Sequence, residues 1–196
     1  MNLLAHAVLS FHEPDLLVGQ MISDYVKGRK QFDYPDGIRQ GITLHRQIDT
    51  FTDAHPVVAE AKEFFRADYR LYSGAFVDVS FDHFLALRRE EFLPGDLFTF
   101  SQQVYEVLGR HTMQMPPAFA RMFPHMQRHN WLAGYAAHEG IHRSFEGLVH
   151  RAAYLDNSTQ AAVIFERNYQ ALSGYFDAFW PQLKSFARGE IAQMKR

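Results

Sequence analysis

Apolar residues in this chain recur every three or four positions almost from end to end, the spacing that lines one face of a helix, and no convincing series of alternating strand residues or Asn-Gly hairpin turns interrupts them. That regularity restricts the fold to the all-α class. Proline, glycine and short polar clusters punctuate it at Glu13-Pro14-Asp15, Gly28 to Gly37, His55-Pro56, Ser73-Gly74, Leu93-Pro94-Gly95, Met115-Pro116-Pro117, Phe123-Pro124 and Asp156-Asn157-Ser158. Between the breaks lie about nine helices. The chain has no internal repeat, no low-complexity tract and no dividing linker, so residues 1–196 are expected to form a single-domain multi-helix bundle. The last long segment, roughly residues 159 to 188, reads as one packing helix, and the tail Gln193-Met194-Lys195-Arg196 as frayed.

Composition limits the chemistry. The 18 Phe and 9 Tyr can fill a core. A net charge of −2 and a pI near 6.6 give no global reason to expect nucleic acid. Zero cysteine excludes disulfides, thiol nucleophiles and thiolate metal sites, which leaves imidazoles and carboxylates as the strong ligands and fits a reducing cytoplasm. The apolar start, Met1 to Phe11, lacks a basic region and is broken by His6, so it does not read as a signal peptide. No segment approaches the roughly 20 apolar residues needed for membrane insertion.

Against this background a few polar residues stand where packing alone predicts apolar ones. With residues 38 to 53 as a helix, Ile38, Gly41, Ile42, Leu44, Ile48 and Phe51 share one half, and His45 and Asp49 fall inside that half. An unpartnered carboxylate there would cost several kcal/mol. The segment Phe76 to Leu87 is apolar almost all round, yet Asp78 and Asp82 lie one turn apart on it, two like charges that repel unless a cation or shared proton intervenes. On a third helix, Leu16 to Val26, Asp24 borders the apolar stripe. Asp24, His45, Asp49, Asp78, Asp82 and His83 thus form a candidate carboxylate-rich metal site built from three helices, suited to Mn²⁺ or Mg²⁺.

Two other readings compete. His138-Glu139-Gly140-Ile141-His142 spells H-E-x-x-H, which on a helix offers two zinc-ligating imidazoles and a general base, with Glu166 as a third ligand. Gly140 weakens that helix, and Phe145 stands where the longer peptidase motif needs glycine. In a non-enzymatic helical binding module the buried acids would instead be paired with Arg46, Arg66 or Arg88.

The stretches Met1 to His6, Gly19 to Gly28, Gly41 to Asp53 and Asp78 to Phe84 resemble, in order and spacing, the acyl-carrier-protein phosphodiesterase family. The resemblance implies an all-α fold related to the HD phosphohydrolases, although Asp82-His83 reverses the doublet that names that superfamily. It also implies an Mn²⁺-dependent enzyme that removes 4'-phosphopantetheine from the serine of holo-acyl carrier protein. The implied metal or catalytic set is Asp24, His45, Asp49, Asp78, Asp82 and His83, with His6 an addition; Asp82 or His83 would orient the attacking water or protonate the leaving oxygen. Arg46 is a candidate phosphate contact. An acidic carrier requires a basic rim, for which Lys27, Arg29, Lys30, Arg88 and Arg89 are the candidates.

Overall fold

The structure, a computed structural model, describes residues 1–152, 155 and 157–195. Among the described residues it contains eleven α-helices and no strand, so the all-α expectation holds. They are α1 (Leu3–Val8), α2 (Pro14–Ile22), α3 (Asp36–Ala54), α4 (Pro56–Tyr69), α5 (Ser73–Ala86), α6 (Leu97–Arg110), α7 (Pro117–Arg128), α8 (Trp131–Gly134), α9 (His138–Arg151), α10 (Ser158–Arg167) and α11 (Tyr169–Met194). Short 3₁₀ turns at Ser23–Tyr25 and Gly28–Asp33 carry the chain from α2 to α3.

Helix starts follow the residues that favour them. Pro14, Pro56 and Pro117 open α2, α4 and α7, where a missing N–H costs nothing. Asp96 and Asn157 cap α6 and α10 by accepting from Thr99 N and Gln160 N. Asp156, part of an expected break, lies outside the described residues. Four boundaries differ from the sequence reading. The helix read from Leu16 to Val26 ends at Ile22, and Asp24 lies in the 3₁₀ turn that follows. Pro124 sits inside α7 instead of ending it. The segment read as one helix from about 159 is two, divided at Asn168, whose side chain bonds back to the Ile164 carbonyl. Helix α11 runs to Met194, and Lys195 pairs with Glu13, so the tail is docked as far as it is described.

Two contacts fix the geometry of the interior. Helices α2 and α3 meet backbone to backbone: a Cβ on Gly19 would lie 2.1 Å from the Ile38 carbonyl oxygen, and one on Gly41 would lie 2.4 Å from that of Leu16. Only glycine permits this approach. Helix α5 runs through the middle, packed by α1, α4, α9 and α11, which is why its sequence is apolar almost all round. Fully buried Phe65, Phe76, Phe81 and Phe145 lie on and around it, each worth about 1.5–3 kcal/mol of burial. No described helix is long and apolar enough to cross a membrane.

Candidate metal centre

Helices α1 and α3 and the turn after α2 bring His6, His45, Asp49 and Asp24 together. The His6 and His45 rings stack with centroids 3.8 Å apart. His6 Nε2 lies 3.2 Å from Asp49 Oδ1, and His45 Nε2 lies 3.1 Å from Asp49 Oδ2 and 3.3 Å from Asp24 Oδ1. Among the described residues, His6, His45 and Asp49 are the one group of three potential ligands whose ligand atoms all lie within 4.8 Å of one another. Both imidazoles are buried, whereas the Asp24 side chain is 73% exposed and marks the side that opens to solvent.

The α2–α3 glycine contact explains this convergence. It holds Asp24, in the 3₁₀ turn just beyond α2, against the face of α3 that carries His45 and Asp49 one turn apart. His6 is brought in by α1, which is anchored by Asp82: its two carboxylate oxygens accept from Leu4 N at 2.7 Å and Ala5 N at 3.2 Å. A carboxylate at a helix N-terminus meets both unpaired N–H groups and the positive end of the helix dipole.

Burial opposes charge on His45, but the carboxylates of Asp24 and Asp49 outweigh it and hold the imidazolium up at about 9. Burial would raise Asp49, yet contacts with His45 and His6 pull it well below the usual carboxylate range. His45 likewise lowers Asp24. Burial and the neighbouring His45 push His6 down, which favours its neutral form. Its Nδ1 lies 3.0 Å from the Gln20 side-chain amide, a contact that orients the ring and aims Nε2 at Asp49. His6 Nε2 lies 3.2 Å from Asp49 Oδ1, yet neither His6 Nε2 nor His45 Nε2 makes an aligned hydrogen bond although both are shielded from solvent. A shared cation resolves such an arrangement, and this donor set of imidazole nitrogen and carboxylate oxygen fits a borderline divalent ion.

The remaining candidates have other partners. Asp78 is 3.3 Å from the buried Met1 ammonium, which also approaches Asp49 at 3.4 Å; burial opposes its charge, but Asp78 and Asp49 raise it to about 10. Burial also pushes the Asp78 carboxyl up. Asp82, expected among the ligands and catalytic groups, is bound on both oxygens by α1 backbone and so positions α1. His83, the other expected catalytic group, has different partners. It points away from the centre, with Nδ1 2.7 Å from the Tyr135 carbonyl and Nε2 2.9 Å from the Tyr169 hydroxyl. Arg46 donates to Val26 O and Gln31 Oε1, so its guanidinium ties the turn to α3 and does not point at the centre. Arg88 pairs with Asp177 and lies over the Phe176 ring, while Arg89 is exposed. Arg66 pairs with Glu63, so these arginines go elsewhere than to the buried acids.

The H-E-x-x-H stretch opens α9. His138 Nδ1 and His142 Nε2 lie 2.6 Å and 3.5 Å from Glu166 Oε1, as the third-ligand reading anticipated, but Glu139 is exposed and the trio does not meet the spacing of the His6 group. Gly140 has a packing role: a Cβ there would lie 1.9 Å from the Gly134 carbonyl oxygen. Sequence reasoning missed Gln20, the buried group that orients His6; its one signal was an amide on an otherwise apolar helix.

An all-α protein in which helix-borne imidazoles and aspartates converge beside a solvent-facing carboxylate has the anatomy of a helical hydrolase. The comparison with known sequences narrows this. A match to the family described as acyl carrier protein phosphodiesterase covers residues 1–183, and the chain belongs to that family. Curated relatives called acyl carrier protein phosphodiesterase include one from Yersinia pestis, 33% identical over 93% of this chain and 95% of its own. Those from Klebsiella pneumoniae (strain 342) and Salmonella agona (strain SL483) are 33% and 30% identical over 97% and 95% of this chain and 99% and 97% of theirs. No solved structure matches the chain.

Proposed function

We propose that the protein hydrolyses the phosphodiester joining 4'-phosphopantetheine to the serine of holo-acyl carrier protein, giving the apo carrier, with a divalent cation, Mn²⁺ or Mg²⁺, held by His6, His45, Asp49 and Asp24. Family membership over nearly the whole chain supports the reaction class and the carrier. The observation that carries the metal is the shielded His6 Nε2 facing Asp49 beside His45. When bound, such an ion acidifies water and neutralises charge on phosphoryl oxygens.

The protein's own groups do the rest. Gln20 orients the His6 ring, and Asp82 fixes the helix that delivers His6. Lys27, Arg29 and Lys30 are exposed in the segment that follows Asp24 and supply the basic rim for an acidic carrier. Intact-mass spectrometry of holo-acyl carrier protein incubated with enzyme and Mn²⁺ tests this reading. The carrier should lose the phosphopantetheine mass, and Asp49→Ala should abolish the loss. A carrier that keeps its prosthetic group would refute the reading.

A further inference from the structure

A cavity lies beside the centre, on the neighbouring face of α3. A groove of about 760 Å³ is bounded by α3, the 3₁₀ turn at Gly28–Asp33 and α11. Its walls alternate apolar rings, Phe32, Phe51 and Phe186, with the hydroxyls of Thr43 and Thr50 and the guanidinium of Arg46. Phe51 and Phe186 stack at 4.4 Å to form part of the apolar surface, and Phe32 is left 60% exposed. The lining runs along α3 from Arg39 to Ala54, about 22 Å at 1.5 Å per residue, so the groove is long.

Its connection to the centre is covalent and direct. Arg46 and Thr50 follow His45 and Asp49 in sequence, so the groove face begins about 100° of helical rotation from the ligand face. Arg46 is bonded to the Val26 carbonyl, two residues after Asp24, which ties the groove's edge to the solvent-facing side of the centre. A ligand whose phosphate sits at Asp24 and His45 therefore has this groove on the adjoining face of the same helix.

We infer that the groove seats the prosthetic arm of the carrier, an inference that rests on the function proposed above. Beyond its phosphate the pantetheine arm is uncharged and extended, with a gem-dimethyl group, two amides and a terminal thiol. Apolar rings interleaved with hydroxyl and amide groups suit that chemistry, and the volume falls within the range of small-molecule sites. The carrier itself stays outside, over Lys27, Arg29 and Lys30.

The chain contains no cysteine, which makes the arm's thiol a selective probe. Thr43→Cys, Thr50→Cys and, as a control in an exposed turn, Thr112→Cys are each loaded with oxidised glutathione and mixed with holo-acyl carrier protein and a chelator. The arm's thiolate displaces glutathione to form an enzyme–arm disulfide, counted by intact mass. At least one groove cysteine should capture holo-carrier tenfold or more above Thr112→Cys, and free pantetheine should compete. Equal capture at all three positions, or capture that free pantetheine does not reduce, overturns the groove assignment. Capture does not require turnover, so the two claims separate. Groove capture without hydrolysis by the metal-loaded wild type refutes the proposed function alone, hydrolysis with equal capture refutes the groove alone, and neither result refutes both.

Discussion

At the scale of single residues the account turns on who holds which proton. His45 sits near 9 in the metal-free protein, above its ordinary 6.5, so the stability it contributes is complete below about pH 6.5 and is lost as pH rises through about 9. A cation must displace that proton. Isothermal titration should therefore show Mn²⁺ affinity rising from pH 6.5 to 9 and levelling beyond; a flat profile would contradict the assignment of His45. Gln20→Met keeps bulk but removes the amide that orients His6, and should weaken Mn²⁺ binding by about 10- to 100-fold. Unchanged affinity would show that Gln20 only fills space. His45 and Asp49 were legible in sequence because a polar group on an apolar face must find a partner, whereas Asp24, exposed in a turn, gave only a weak signal. The Gln20 and Asp82 roles were not, since their contacts span 14 and 78 positions and leave no local pattern.

At the scale of elements, two devices deliver those residues: the glycine contact between α2 and α3 and the Asp82 anchor under α1. Gly19→Ala drives a methyl onto the Ile38 carbonyl and should cost about 1–3 kcal/mol in chemical denaturation. It should also weaken Mn²⁺ binding, because Asp24 moves relative to His45; full stability in this variant would contradict the close approach. Burial pushes the Asp82 carboxyl up to about 7 against two backbone N–H groups that pull it down. A raised acid favours the protonated form in the folded state, so the metal-free protein should lose stability as pH rises from about 4 to 7. Asp82→Asn removes that titration, and its melting temperature should fall less than the wild type's across the interval; parallel curves would discount Asp82. Periodicity located α3 and α5 closely, whereas it misplaced breaks at Pro124 and Asn168. In α7, burial of Phe119, Phe123 and Met126 outweighs the roughly 3 kcal/mol a helical proline costs, and the α10–α11 boundary has no proline or glycine to announce it.

At the scale of the whole molecule, charge and cavity are arranged around the connection between α2 and α3. Asp24, the basic segment from Lys27 to Lys30 and the long groove all border the turn between α2 and α3. Reversing Lys27, Arg29 and Lys30 together to Glu should raise KM for holo-carrier while leaving hydrolysis of a small phosphodiester unchanged; equal loss on both would contradict a docking role. The all-α class was legible from periodicity, but which helices meet was not, because the decisive contacts join α1 to α5 and α2 to α3 through backbone atoms that hydrophobic pattern does not encode. The central claim is that the His6, His45, Asp49 and Asp24 side chains share one divalent ion. Anomalous diffraction from Mn²⁺-loaded crystals tests it most directly: the account predicts a single strong peak among those four side chains, with manganese about 2 Å from the imidazole nitrogens. A catalytically active preparation whose manganese lies elsewhere, or that binds none, would contradict it.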